Sequence, residues 1–131
     1  MGTEIKLEGM EKLQRLLIAG GRDAVKAVGR GIYNEALEAF DASQEVVPVD
    51  TGVLRASGMV SQPQWSGDDV SVEISYGGNA SSYALVVHED LEAHHASGKE
   101  AKYLEKPVAQ QVDGMGERLG DYVEDELRSA L

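Results

Sequence analysis

A chain of 131 residues fits one compact domain, with enough apolar residues for one core but only seven aromatic side chains, so a ring-lined small-molecule pocket is disfavoured. Twelve basic residues face 23 acidic ones, a formal charge of −11, which argues against binding DNA through its phosphates. There are no cysteines, which excludes disulfides and thiol chemistry and suits a reducing cytoplasm. No signal peptide is read at the N-terminus, and no apolar stretch approaches the ~20 residues of a membrane span.

In chain order, Glu4-Ile5-Lys6-Leu7-Glu8 alternates as a short edge strand ended by Gly9. Met10, Leu13, Leu16 and Leu17 recur at helical spacing until Gly20-Gly21 interrupts them. A second helical stripe carries Val25, Val28, Ile32, Ala36, Leu37 and Phe40, and its Gly29 and Gly31 allow close packing or a bend. Pro48 closes that helix and pushes Val47 toward extended backbone. Val49-Asp50-Thr51-Gly52 is turn material, with Asp50 or Thr51 placed to cap a short turn through Val53-Leu54-Arg55.

A strand is predicted from Ser57 to Gln62, ended by Pro63, and a hairpin turn at Ser66-Gly67-Asp68-Asp69. Val70, Val72, Ile74 and Tyr76 alternate strictly with polar residues, the clearest strand pattern in the chain. Gly77-Gly78-Asn79 turns again, and Tyr83-Ala84-Leu85-Val86-Val87 reads as a central strand. The polar stretch from His88 to Ala101 has no period and reads as a long exposed loop. The last helix carries Val108, Val112, Met115, Leu119, Tyr122, Val123, Leu127 and Ala130, with Pro107 in its first turn and Gly114, Gly116 and Gly120 weakening its interior. The expectation is a single α+β domain over 1–131: N-terminal helices, a three- to four-stranded antiparallel sheet with one face free for a neighbour, and a long C-terminal helix.

Four constellations bear on function. His88, Glu89, Glu92, His94 and His95 are metal-ligand types, but lack a recognised ligand spacing and lie in a predicted loop; a solvated loop that touches a neighbour is the stronger reading. Ser, His and Asp all occur, without a Gly-x-Ser-x-Gly elbow or a rigid base, which leaves hydrolase chemistry little weight. Gly77-Gly78-Asn79 meets no nucleotide fingerprint and is better read as a hairpin turn. The fourth, Val47-Pro48-Val49-Asp50-Thr51-Gly52-Val53-Leu54-Arg55-Ala56-Ser57, ends a helix, turns a corner and launches a strand, with Arg55 available to Asp50 or to a carboxylate of another chain.

That fourth segment resembles the signature of a family of small proteins of long-tailed bacteriophages, described as tail-component, minor capsid or head–tail joining (tail-completion) proteins of the neck. The resemblance continues in order: the opening helix Gly9-Met10-Glu11-Lys12-Leu13, then Tyr83-Ala84 with Val87-His88-Glu89, then Lys102-Tyr103-Leu104-Glu105-Lys106-Pro107-Val108 at the entry to the last helix. Where many members have Glu-x-Gly-Thr after the Tyr-Ala strand, this chain has His88-Glu89-Asp90-Leu91 and a longer polar loop. The resemblance implies a structural virion protein with no catalysis and no cofactor, made in the host cytoplasm. It would form a ring in the neck, a hexamer before a dodecamer. Its neighbours would be head-closure or adaptor proteins and tail-terminator or tail-tube proteins, and DNA would pass through without specific binding. The residues that carry the resemblance are then the expected interface: Pro48, Asp50, Thr51, Gly52, Leu54, Arg55, Ser57, Tyr83, His88, Glu89, Tyr103, Leu104 and Pro107.

Alternatives are a tail-terminator or head-closure ring one position away, a metal-binding module or metal-dependent enzyme built on the histidine loop, and an adaptor that binds peptides at a sheet edge. From Glu105 to Leu131 there are seven acids and three bases; Asp113, Glu117, Asp121, Glu124 and Asp125 form a polar helix face, either simply solvated or turned toward a DNA channel.

Overall fold

In a computed structural model of the chain, residues 2–5, 10–47, 52–66, 69–77, 81–88, 93–99 and 102–129 are described. The elements run β1 (Gly2–Ile5), α1 (Met10–Val46), α2 (Val53–Ala56), β2 (Met59–Val60), β3 (Gln64–Ser66), β4 (Asp69–Tyr76), β5 (Ser81–His88), β6 (Ala93–Lys99), α3 (Lys102–Val112) and α4 (Met115–Ser129). This is an α+β fold: one antiparallel sheet with helices gathered against it.

The pattern Val70, Val72, Ile74, Tyr76 puts four apolar side chains on one face of β4, and all four are buried. Across the strand pair, Val87, Leu85 and Tyr83 of β5 stand opposite Val70, Val72 and Ile74 and continue that inner face. The other face carries Ser71, Glu73, Ser75, Ala84 and Val86, of which Glu73 is exposed and Ser75 and Val86 are largely shielded. Beyond β5 the sheet adds β6 and then β1; on the far edge, β2 and β3 both pair with β4. They lie end to end along it, Met59 opposite Ser75 and Trp65 opposite Val70. Between them Ser61 keeps the edge bonded: its N–H donates to the Glu73 carbonyl (2.8 Å) and its hydroxyl accepts from the Glu73 N–H (2.8 Å). The predicted strand from Ser57 to Gln62 is thus shortened to Met59–Val60, because Ser57 is spent on the turn before it.

The predicted loop at 88–101 is corrected. Its middle, Ala93–Lys99, is β6, paired to β5 on one side and to β1 on the other, with Glu4 opposite His94 and Val86 opposite the same histidine. Ladder hydrogen bonds come from the backbone and need no apolar alternation, so a polar segment between two partners can be a strand despite its composition. Residues 89–92, 100 and 101 lie outside the described residues.

The predicted break at Gly20-Gly21 is observed, and it is sharp. Gly21 has φ 54° and ψ −130°, a conformation a side chain strongly disfavours. In a straight helix Leu13 and Gly31 would be about 27 Å apart. Here both meet adjacent residues of α4: a Cβ placed on Gly120 would lie 3.6 Å from the Leu13 nitrogen, and one on Gly31 would lie 2.9 Å from Leu119. The chain therefore doubles back at Gly21, and α4 packs against both arms, 10–20 and 22–46. This α1–α4 packing is the most extensive in the molecule. Gly29 and Gly31 serve close packing as their positions suggested: a Cβ on Gly29 would meet the Trp65 ring at 2.5 Å.

The single long C-terminal helix is also corrected to two. Gly114, at φ 75°, ends α3 and starts α4 anew. Pro107 is not in a first turn; α3 begins at Lys102, a turn earlier, and the buried proline sits inside it. Leu104, Val108, Val112, Met115, Leu119 and Val123 carry the apolar stripe through both helices into the core.

Candidate assembly corner

The carboxyl end of α1 lies beside several of the predicted interface residues. Its buried stripe Ile32, Ala36, Ala39 continues at helical spacing to Ser43, a hydroxyl in place of an apolar side chain. Ser43 is fully buried, and so is Tyr76 at the end of β4, with their oxygens 2.6 Å apart. The donors resolve into one consistent chain. The Ser43 hydroxyl donates to the Phe40 carbonyl (2.7 Å), so the Tyr76 hydroxyl donates to Ser43 and accepts from Gln44 Nε2 (2.9 Å). Gln44 Nε2 gives its second proton to the Arg55 carbonyl (3.1 Å), and Gln44 Oε1 accepts from Arg55 Nε (3.2 Å). Each proton is used once and each buried oxygen is satisfied, the condition under which a buried polar network fixes one geometry.

The same network sets α2. Gly52 occupies the N-cap position of this turn at φ 71°; Asp50 and Thr51, the predicted caps, lie outside the described residues. Ser57 closes it: its hydroxyl donates to the Leu54 carbonyl (2.6 Å) and accepts from the Gly77 N–H (2.7 Å), which ties α2 to the residue just after β4. Gly58 then passes through a space that no side chain fits; a Cβ there would lie 2.6–2.7 Å from Phe40, Gln44 and Tyr76. The corner is thus fastened from both sides, by Gln44 to α1 and by Ser57 to the sheet.

Tyr76 also joins the corner to α3. Its ring stacks on Phe40 (5.7 Å) and meets Tyr103 edge-on (5.3 Å). Tyr103 and Pro107 line an open groove of about 550 Å³ with Ala42, Glu45, Val46, Lys106 and Gln110. Around this end of α1 the surface is apolar for its position: Val46, Val53 and Met59 are 59%, 71% and 63% exposed.

Gly52, Leu54, Arg55, Ser57, Tyr103 and Pro107 are therefore brought together, with Arg55 exposed and Leu54 half-buried against the core. Pro48, Asp50, Thr51 and Glu89 lie outside the described residues. Tyr83 and Leu104 are core side chains, 3% and 0% exposed, and reach a neighbour only through the packing they support. His88 is opposite Asp69, at the other end of β4 from Tyr76 and about 23 Å away along the strand. As site residues, Ser43, Gln44, Gly58 and Tyr76 are not marked by the sequence, where Tyr76 reads only as the end of a strand's apolar face; the one available signal is a serine ending an otherwise apolar helical stripe.

Charge on α4 is more balanced than its sequence suggested. Lys12 bridges Asp121 and Glu124 (2.8 Å each), Arg30 pairs with Glu126 (2.9 Å), and Arg118 grips Glu35 through Nη2 (2.7 Å). The hydrogen bond from Lys12 holds the Glu124 carboxyl below its usual range, and Asp121 and Glu124 hold the ammonium above its own. Glu126 is likewise held low, by the Tyr122 hydroxyl and then Arg30. Arg118 also donates to the carbonyls of Gln111 and Asp113, so one guanidinium caps the end of α3 and pins the α3–α4 turn to buried Glu35. Glu117, Asp113 and Asp125 remain exposed on the outer face.

Among the described residues no group of three or more His, Asp or Glu side chains could hold a metal ion, and no helix is long and apolar enough to cross a membrane. What the corner supplies chemically is a rigid display of Arg55 beside an apolar rim and a groove. Compared with protein-family models, curated proteins and solved structures, the chain matches none.

Proposed function

We propose that the chain is a structural subunit of the neck of a long-tailed bacteriophage, assembling as a ring, hexameric before dodecameric, that joins the head to the tail and lets DNA pass. The observation that carries this reading is the corner. The string Gly52-Val53-Leu54-Arg55-Ala56-Ser57, where the family resemblance is densest, is the segment that the Ser43–Tyr76–Gln44 network and Ser57 hold rigid. A catalytic site would need a base and a nucleophile held together; what is held here is an exposed arginine beside exposed apolar residues, a combination suited to a protein interface. The formal charge of −11 supports passage of DNA over retention of it.

Native mass spectrometry and electron microscopy of the purified protein, alone and with its neck neighbours, test the reading. Closed rings with a central channel are expected. A protein that stays monomeric alone and in the presence of those neighbours would contradict it.

A further inference from the structure

The fold-back at Gly21 separates an N-terminal unit from the rest of the molecule. That unit is β1 plus the first arm of α1, and it meets the body on two surfaces: β1 on the edge of β6, and the arm on α4. We propose that this unit is exchanged between copies: the chain straightens at Gly20-Gly21, and β1 and the arm dock on β6 and α4 of a second copy. Exchange requires only two copies; that the exchanged copies close into a ring rests on the neck reading above.

Three features support exchange. First, the connection is minimal. Gly21 alone breaks helical geometry between two helical runs, so straightening it yields a continuous helix from Met10 to Val46, about 55 Å long, and projects the unit away from its own body. Short hinges of this kind favour swapping, because a tight reversal within one chain is relieved when the segment docks elsewhere. Second, the reversal depends on glycine alone. No distant atom lies within 4 Å of a Cβ placed on Gly21, so crowding does not shape the turn; its φ of 54° is what calls for glycine there. Third, the recognition chemistry is already present. Met10 and Leu13 are buried, the Leu13 backbone lies against Gly120, and Lys12 sits between Asp121 and Glu124. A second copy offers an identical seat, and the four residues of β1 would find the same register on its β6.

Because the chain has no cysteine, Lys12→Cys with Asp121→Cys reports the docking directly. Both positions are on the surface, and a short bis-maleimide joins them wherever arm and α4 meet. Monomer and oligomer fractions are separated by size, cross-linked and run on a denaturing gel. Monomers are expected to link within the chain. Oligomers are expected to link between chains, giving bands at two or more chain masses. Gly21→Ala, which penalises the reversal through local backbone strain without crowding any distant residue, is expected to shift the equilibrium toward exchanged oligomer by roughly ten-fold or more. Should that variant not fold, the double-cysteine chain with Gly21 intact, refolded from denaturant at high concentration, gives the same reading. Oligomers whose links all fall within single chains would overturn exchange while leaving the ring reading in place. A folded Gly21→Ala chain that stays monomeric at every concentration would also overturn exchange, and the ring reading would then stand or fall on the mass of the wild-type particle alone.

Discussion

The two ends of α1 are held to the same body by different physics. At the carboxyl end, Ser43 and Gln44 engage Tyr76 and Arg55 in a directional network with every proton assigned, and Gly58 leaves no slack beside it. At the amino end, the arm is held by the buried side chains of Met10 and Leu13, by half-buried Leu16 and Leu17 against the core, and by ion pairs on the surface, across a glycine that no distant residue crowds. Directional bonds built on a buried hydroxyl pair define one geometry, whereas apolar inlay with screened charges defines an affinity and tolerates a change of partner. Under the proposed ring reading, a subunit that presents one fixed surface and also connects to copies of itself has use for both.

The largest expected effect sharpens the amino end. Leu13→Ala removes a fully buried side chain from the arm–α4 seat and should cost about 2–5 kcal/mol in urea unfolding. If the arm is a separable unit, hydrogen exchange will show 10–20 opening well before 36–46. Equal loss of protection at both ends would erase the contrast.

Gly58→Ala comes next. With three side chains at clashing distance, overpacking should cost about 1–3 kcal/mol and loosen α2 together with the end of β4. Tyr76→Phe keeps the ring contacts and removes only the hydroxyl, leaving Ser43 and Gln44 short of a partner; about 1–3 kcal/mol is expected. If Tyr76→Phe is neutral, the corner is packed by its rings and not ordered by its network.

Lys12→Ala should be close to silent in stability, because its ion pairs face solvent. Acid should act in the same sense and as weakly. Glu124, which Lys12 ties to the first arm, has a folded pKa below the usual 4.5, so its contribution is present above that value and fades as pH falls through the lower folded value. Protection factors of the first arm should therefore drop as pH falls below the usual carboxylate range, while those of 36–46 hold. Loss at both ends together would show that the charges act on the whole fold.

The sequence made the core legible and the connections much less so. Strict alternation from Val70 to Tyr76 identified β4 and its buried face because burial imposes the period of two, and Gly20-Gly21 marked the break in α1 because two glycines weaken a helix. How far the chain turned there was not legible, since φ at a glycine is unconstrained by its neighbours in sequence. β6 was read as loop because its pairing is by backbone between β5 and β1, which its polar side chains do not announce. The corner was found as a motif but not as a mechanism. Ser43 and Tyr76 are 33 positions apart, and nothing local in either segment says that their hydroxyls meet.

If the corner displays Arg55 for joining heads to tails, as proposed, Arg55→Ala separates display from folding. The substitution removes one exposed hydrogen bond to Gln44 and should leave unfolding within about 1 kcal/mol of wild type. The direct measurement is complementation in a phage lacking this gene, scored by electron microscopy of lysates. Wild type is predicted to restore joined particles, and folded Arg55→Ala to leave full heads and free tails side by side. Joined particles in the absence of the gene, or full joining by Arg55→Ala, would contradict the account.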